Sequence, residues 1–199
     1  MSWPNRITIA RLLMVPVFVL LLLGAREHDG YRYGAMALAA LLGLADAADG
    51  ILARRTGQVT KIGSILDPLA DYAFGISAVV TLSIPGVLSD DPRTVLPYWV
   101  SVTLVSRALL MLVGSGVLYL VCGLFQGLPS ATGKGATIMQ FVTVVATCGA
   151  PDLVGWFGPW WAKHLLKAIW GVTVTLAVVS LLGYVRTGAK LISASAEGA

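Results

Sequence analysis

The hydrophobic residues of this chain are gathered into six continuous runs, separated by short polar or Gly- and Pro-containing segments. Each run is close to the ~20 residues that a helix needs to cross a bilayer. The runs lack the alternation of apolar and polar positions that is typical of membrane β-strands. The pattern therefore predicts an all-α, polytopic integral membrane protein with six transmembrane helices, at residues 7–24, 35–54, 63–87, 97–125, 133–150 and 164–186.

The composition excludes several other classes of protein. Of the 199 residues, 57% are hydrophobic and 12% are charged, whereas about a quarter are charged in a soluble domain. A cytosolic domain, a disordered chain and a disulfide-rich secreted module are thereby excluded. The net charge of +4 suits contact with anionic lipid, and we expect no nucleic-acid partner because the basic residues form no stripe. We expect one membrane domain over residues 1–186 and a disordered tail over 187–199.

The basic residues indicate the orientation in the membrane. With six crossings, one side holds both termini and the loops after the second and fourth runs. Five Lys and Arg residues fall on the opposite side and eight on this one, namely Arg6, Arg11, Arg54, Arg55, Lys61, Lys134, Arg186 and Lys190. Because loops rich in Lys and Arg stay in the cytoplasm, we expect both termini to be cytoplasmic.

Four aspartates lie within or at the edge of the second and third runs: Asp46, Asp49, Asp67 and Asp71. An unpaired charged Asp at bilayer depth costs at least ~2.5–3.5 kcal/mol, and four close together also repel one another. Packing between helices does not explain such a cluster. We therefore expect cations to hold these carboxylates in place.

Helical spacing brings the four carboxylates together. One face of the second helix carries Asp46, Asp49, Gly50 and Ala53, and one face of the third carries Gly63, Asp67 and Asp71. Because the connection is short, we expect the two helices to pair as an antiparallel hairpin. Asp49 would lie opposite Asp67, and Asp46 would lie opposite Asp71 about one turn deeper. The site would lie just beneath the cytoplasmic surface, at the cytoplasmic ends of helices 2 and 3.

The residue types indicate the ligand. Oxygen ligands without nearby His or Cys suit hard divalent ions such as Mg²⁺ or Mn²⁺. The small residues on the same faces leave room for a ligand, and Arg54 adds a phosphate-binding guanidinium at the rim. This combination predicts a metal-dependent diphosphate site. A divalent-cation transporter is the alternative, since acidic residues in membranes also line ion pathways.

The same stretch resembles the signature of the CDP-alcohol phosphotransferases, D-x2-D-G-x2-A-R-x8-G-x3-D-x3-D. Every fixed position is matched, by Asp46, Asp49, Gly50, Ala53, Arg54, Gly63, Asp67 and Asp71. The resemblance implies a six-helix membrane enzyme that moves a phosphatidyl or similar group from a CDP-linked donor to an alcohol and releases CMP. The resemblance also implies a homodimer. We expect the protein to lie in the inner membrane of a bacterial cell.

The resemblance also implies residue roles. The four aspartates would bind two divalent metal ions, Mg²⁺ or Mn²⁺, and Asp71 would serve as the general base. The donor is expected to be CDP-diacylglycerol, and the residues expected to border its CDP group are Asn5, Thr8, Asp49, Gly50, Ala53, Arg54 and Gly63.

Two further motifs bear on the acceptor. The opening Pro4-Asn5-Arg6-Ile7-Thr8-Ile9-Ala10-Arg11 is similar to the P-N-x-x-T-x-x-R opening of phosphatidylglycerophosphate synthases. Asn5 and Thr8 alternatively act only as a helix cap and a first-turn residue. The segment from Gly133 to Gln140 resembles the G-K-x-x-T-x-x-Q segment of the same synthases and of CMP-forming cardiolipin synthases.

Arg107 and Lys134 are the candidates for binding the acceptor. An Arg inside an apolar run should face a phosphate or a carboxylate, so Arg107 binds either the acceptor or an intramembrane Asp. Lys134 binds the acceptor or extends to the membrane interface. Those synthases typically have Lys after the fourth aspartate, where this chain has Tyr72. The two basic residues favour an anionic acceptor. We expect glycerol 3-phosphate, with phosphatidylglycerol as the alternative.

Overall fold

The computed structural model describes residues 3–56, 63–89, 91, 94–122 and 131–197. Within these ranges, the side chains outside the description are those of residues 3–7, 46–56, 63–67, 121, 122, 131, 192 and 194–197. Over the described residues the chain forms six α-helices and no strand, which confirms the all-α prediction. The helices are α1 (Trp3–Gly24), α2 (Asp29–Thr56), α3 (Gly63–Leu82), α4 (Tyr98–Cys122), α5 (Ala131–Cys148) and α6 (Ala150–Glu197).

Two helices are long and apolar enough to cross a membrane by themselves. In the described part of the chain these segments are Tyr98–Leu120 of α4 and Ala150–Leu191 of α6, while Thr8–Gly24 and Pro68–Leu82 are shorter apolar helices. Many large hydrophobic side chains point outwards, among them Leu120, which is 83% exposed. Such an apolar surface is typical of a protein that contacts lipid. The structure thus identifies two clear apolar spans, and six crossings stay a prediction.

The core of the bundle contains three aromatic rings from three helices. Phe18 of α1 and Phe74 of α3 have ring centroids 4.9 Å apart, and Phe74 stacks on Phe141 of α5 at 5.2 Å. Gly43 allows α2 to approach, because an added Cβ there would lie 3.0 Å from the Phe141 ring. The aromatic cluster therefore fixes the positions of α1, α3 and α5 around one centre.

The helices α2 and α3 are connected through their neighbours. Both α1 and α5 contact each of them, α4 contacts α3 and α6, and α5 contacts α6. Among the residues whose side chains the structure describes, α2 and α3 make no contact with each other. The expected hairpin would form between residues 46–56 and 63–67, whose side chains lie outside the description, so it stays a prediction. The expected pairing of Asp46 and Asp49 with Asp67 and Asp71 involves side chains outside the description.

A buried arginine connects α2 to α6 near the start of both helices. The guanidinium of Arg32, whose side chain is 3% exposed, donates to both carboxylate oxygens of Asp152, at 2.7 and 2.8 Å. It also donates to the carbonyl of Cys148 and to the carboxylate of Asp29. Hydrogen bonding to Asp152 raises the pKa of Arg32 above its ordinary value, although burial acts in the opposite direction. The guanidinium therefore stays charged and ties these helix ends together.

The last helix is bent near its start and extends further than the sequence predicted. Gly158 has φ 77° and ψ 159°, outside the helical region, and Pro159 follows it. Proline disfavours a helical conformation at the preceding residue, and glycine tolerates positive φ, so the bend forms at this pair. Beyond it the helix continues to Glu197, past Thr187, where we expected a disordered tail to begin.

Candidate active site

The signature lies on two helix ends that are close in sequence. Asp46, Asp49, Gly50, Ala53 and Arg54 fall in the last three turns of α2, which ends at Thr56. Gly63, Asp67 and Asp71 fall in the first turns of α3. Both segments are helical through these positions, so the predicted i, i+3, i+4 spacing holds for the backbone. Of the eight signature residues, Asp71 is the one whose side chain the structure describes.

Asp71 forms an ion pair with Arg11 of α1. The Nη2 of Arg11 donates to Oδ1 of Asp71, and the Arg11 side chain is buried. A charged carboxylate inside the bundle needs such a cation. The sequence predicted that cations hold these aspartates in place. For Asp71, one such cation is the guanidinium of Arg11 in the first helix. The sequence pattern placed Arg11 in the opening motif and on the cytoplasmic side but did not predict it as the partner of Asp71, although an arginine inside an apolar run was a usable signal.

Arg107 lies where α4 meets the beginning of α5, against the residue before Lys134. Arg107 is buried, and its Nη2 donates to the carbonyl of Gly133 at 3.4 Å. Lys134 is the next residue and is exposed. No carboxylate of the described residues pairs with Arg107, so its alternative role as partner of an intramembrane Asp has no support there. Arg107 interacts electrostatically with Tyr72, which in turn interacts with Asp71.

The G-K-x-x-T-x-x-Q segment packs α5 onto α3. The hydroxyl of Thr137 donates to the carbonyl of Gly133 at 3.2 Å, as expected for a threonine one helical turn further on. The amide of Gln140 lies directly over Gly75 of α3, where any larger residue would displace it. This motif therefore positions the beginning of α5 beside the helix that carries Asp71.

The residues predicted to border CDP are only partly described. Thr8 is buried on α1, three residues before Arg11. Asn5 lies in α1, but its side chain is outside the description, as are those of Asp49, Gly50, Ala53, Arg54 and Gly63. Their contacts with a nucleotide stay a prediction.

The predicted metal centre also lies mostly outside the described side chains. Among the side chains that are described, no group of three or more His, Cys, Asp or Glu residues could hold a metal ion. Three of the four aspartates have side chains outside that set. Asp71 fits a metal ligand in its chemistry: it is a carboxylate, its side chain is 24% exposed, and Arg11 orients it, as hydrogen-bonding partners usually do for metal ligands.

Comparison with known proteins now identifies the class. Residues 1–179 match the family model for CDP-alcohol phosphatidyltransferase, and the chain belongs to this family. It is therefore an enzyme, a transferase of phospholipid biosynthesis. The family is membrane-associated and generally depends on divalent metal ions. The comparisons give no support to a cation transporter.

Its relatives carry two kinds of name. A protein of Mycobacterium tuberculosis named probable phosphatidylglycerophosphate synthase is 34% identical over 94% of this chain and 86% of its own length. A CMP-forming cardiolipin synthase of Streptomyces coelicolor is 37% identical over 58% of this chain, and the match spans half of that protein's length. The CDP-diacylglycerol–glycerol-3-phosphate 3-phosphatidyltransferase of Aquifex aeolicus is 25% identical over 96% of this chain and 98% of its own length.

Proposed function

We propose that this protein transfers a phosphatidyl group from CDP-diacylglycerol to glycerol 3-phosphate, producing phosphatidylglycerophosphate and CMP. Family membership and the names of the two relatives that match nearly the whole chain support this reaction. The observation that carries the choice of acceptor is the buried guanidinium of Arg107 beside Lys134. Positive charge there favours an anionic acceptor and repels choline or ethanolamine.

In the proposed reaction, the acceptor hydroxyl oxygen forms a bond to the phosphatidyl phosphorus of the donor. The bond from that phosphorus to the CMP oxygen breaks, and CMP leaves with the electron pair. Asp71 takes the proton of the acceptor hydroxyl, and its ion pair with Arg11 orients the carboxylate. A purified Asp71→Asn protein that releases CMP at the wild-type rate would contradict this assignment.

Two divalent ions, Mg²⁺ or Mn²⁺, are proposed to be held by Asp46, Asp49, Asp67 and Asp71. When bound, they would neutralise the diphosphate and stabilise the departing CMP. The CDP group would be bordered by Asn5, Thr8, Asp49, Gly50, Ala53, Arg54 and Gly63. The positions of these residues in α1 and at the ends of α2 and α3 are consistent with one shared site.

We also propose six membrane crossings, with both termini and the site on the cytoplasmic side of a bacterial inner membrane. The two apolar spans and the bacterial relatives support this placement. The proposed domain covers residues 1–186, and the proposed assembly is a homodimer. Crosslinking in native membranes tests the homodimer, and a monomer as the main species would contradict it.

Phosphatidylglycerol is the second candidate acceptor, which would make the protein a cardiolipin synthase. The name of the Streptomyces coelicolor relative favours it. Tyr72 favours it as well, because it removes one positive charge relative to the lysine usual in glycerol 3-phosphate-using synthases. A phosphodiester carries less negative charge than a phosphate monoester and needs fewer cations.

A panel of acceptors tests the proposal. Purified protein in detergent receives CDP-diacylglycerol and Mg²⁺ or Mn²⁺, and glycerol 3-phosphate, phosphatidylglycerol, serine or an inositol phosphate is added separately. We expect CMP and a new phospholipid with glycerol 3-phosphate. Product formed with phosphatidylglycerol alone would replace the proposed acceptor. Ion flux through proteoliposomes without any CMP would overturn the transferase reaction itself.

A further inference from the structure

Three buried polar atoms have no hydrogen-bond partner among the described residues: Nε of Arg107, the hydroxyl of Ser180 and the hydroxyl of Tyr184. The three residues are 5%, 0% and 9% exposed. An unsatisfied buried donor or acceptor costs about 1–3 kcal/mol, so proteins rarely leave one without a partner. Three in one small bundle indicate that a group outside the described residues completes their hydrogen bonding.

The register between α4 and α6 places these three residues within about two turns of two neighbouring helices. Tyr184 packs on Gly114, and Leu118 packs on Gly188 one turn further on, so the two helices run in parallel. In that register Arg107 lies level with Ala177, three residues before Ser180, a height difference of about 4.5 Å. Tyr184 lies level with Gly114, about 10.5 Å beyond Arg107 along α4, and a Cβ at Gly114 would be 3.1 Å from the tyrosine hydroxyl oxygen.

The same group of atoms lies on the side of the site that carries Asp71. Tyr72, the neighbour of Asp71 on α3, lies within electrostatic range of both Arg107 and Tyr184. The helix α4 contacts both α3 and α6, so Arg107 lies on the helix between the other two. A ligand that reaches Asp71 could therefore also reach the hydroxyl groups of α6.

The chemistry of the three atoms selects the ligand. A guanidinium donates hydrogen bonds to an anion, and hydroxyl groups both donate and accept. None of the three is a good metal ligand, and the positive charge disfavours a cationic headgroup. A glycerophosphoryl group supplies phosphate oxygens and free hydroxyls together, and both candidate acceptors contain one.

We infer that Ser180 and Tyr184 of α6, together with Tyr72, line the acceptor side of the active site beside Arg107 and hydrogen-bond the glycerophosphoryl group of the acceptor. This inference rests on the proposed function. It adds α6 to a site whose other proposed residues come from α1 to α5, and it gives Tyr72 the position of a specificity-determining residue.

The test compares Tyr184→Phe and Ser180→Ala with two matched controls. Each substitution removes one hydroxyl and keeps the packing, and Ser180→Ala serves if the tyrosine variant does not fold. The controls are Tyr119→Phe on α4 and Ser193→Ala on α6, because both of these side chains are exposed. Thermal unfolding shows that each variant is folded.

We expect the KM for the acceptor to rise about tenfold in each site variant, as for the loss of one buried hydrogen bond. The KM for CDP-diacylglycerol should stay unchanged, and the controls should match the wild type. Direct binding of radiolabelled glycerol 3-phosphate, and of phosphatidylglycerol in a second arm, should weaken by the same factor.

Two outcomes separate this inference from the reaction on which it rests. If wild-type protein forms product and both hydroxyl variants bind and use the acceptor as the wild type does, the orphaned atoms are satisfied by water and the inference is wrong. If wild-type protein forms no product with glycerol 3-phosphate but the variants lose affinity for phosphatidylglycerol, the acceptor is different and the inference stands.

Discussion

The ion pair between Arg11 and Asp71 explains how one carboxylate of the signature stays charged inside the helix bundle. A lone Asp at this depth would be protonated or would destabilise the fold, because desolvation disfavours its charged form. Arg11 offsets that cost from a different helix and fixes the orientation of the carboxylate. Arg11 is therefore a positioning residue for Asp71 and acts through it.

Replacing Arg11 by Gln should lower kcat about 10- to 100-fold, the usual cost of losing a partner of a metal-binding carboxylate. The Gln side chain can still hydrogen-bond, but it removes the compensating charge. Arg11→Lys should restore part of the activity, because the ammonium group keeps that charge. CMP release, measured over a range of Mg²⁺ concentrations, should show a raised metal requirement for the Gln variant.

Arg26→Gln is the matched control, since Arg26 is exposed beyond the end of α1. It should leave both kcat and the Mg²⁺ requirement unchanged. An Arg11→Gln protein with the metal dependence of the wild type would show that the ion pair is purely structural.

At the scale of the elements, small residues decide how closely α4 and α6 approach. Gly114 is the position where Tyr184 lies against the α4 backbone. An added Cβ there would lie 2.7 Å from Cε1 and 3.1 Å from the hydroxyl oxygen of Tyr184, closer than van der Waals contact allows. The packing of these two helices and the position of the Tyr184 hydroxyl are thus coupled.

Gly114→Ala should displace the Tyr184 ring and destabilise the protein by about 1–3 kcal/mol, as overpacking of a tight contact does. The KM for the acceptor should rise at the same time. Gly116→Ala is the control, because a Cβ at Gly116 meets nothing within 4 Å. Thermal unfolding in detergent and acceptor kinetics measure the two effects. Equal stability of the two variants would contradict the tight packing.

The ion pair between Arg32 and Asp152 should stabilise the fold and have little effect on the rate of the reaction. Arg32→Met leaves Asp152 without its main partner, and breaking a buried ion pair costs about 3–5 kcal/mol. The folded fraction should keep its activity, because Arg32 lies near the start of α2 and the signature at its other end. Lys163→Met, at an exposed cation of α6, is the control and should change stability by less than about 0.5 kcal/mol. Loss of specific activity at full folding would contradict this division.

At the scale of the whole molecule, the proposed chemistry depends on a charge balance across several helices. Four aspartates, Arg11 and Arg107 come from four helices, and the substrate adds a diphosphate. Without divalent cations the negative charges of the aspartates and the diphosphate would repel each other. The complete bundle is therefore needed for the site, and no single helix supplies it.

Removal of metal by EDTA should abolish CMP release, and Mg²⁺ or Mn²⁺ should restore it. Ca²⁺ should restore less, because it prefers more ligands at longer distances. The readout is CMP formed per minute at a fixed CDP-diacylglycerol concentration, with circular dichroism as a check that helicity is unchanged. Full activity in excess EDTA would contradict the metal site.

Much of the fold was predictable from the hydrophobic pattern along the chain. Where a predicted helix boundary was wrong, the cause is a nearby turn or bend. The third run extends to Val87, but α3 ends at Leu82 because Pro85 and Gly86, with φ 82°, form a turn that hydropathy does not register. The sixth run begins at residue 164, whereas α6 begins at Ala150 and bends at Gly158. Hydrophobicity indicates which residues contact lipid or the core. It does not indicate where the backbone hydrogen bonds of a helix end.

The sequence by itself determined the helical class, the family and the eight signature positions, because helical periodicity and motif spacing are local properties. Only the tertiary structure decided that Arg11 pairs with Asp71, that Arg107 meets Gly133, and that α1 and α5 each contact both α2 and α3. It also placed Tyr184 against Gly114 of α4. Such partners are far apart in the chain, and packing between helices, which no short sequence window contains, determines which of them meet.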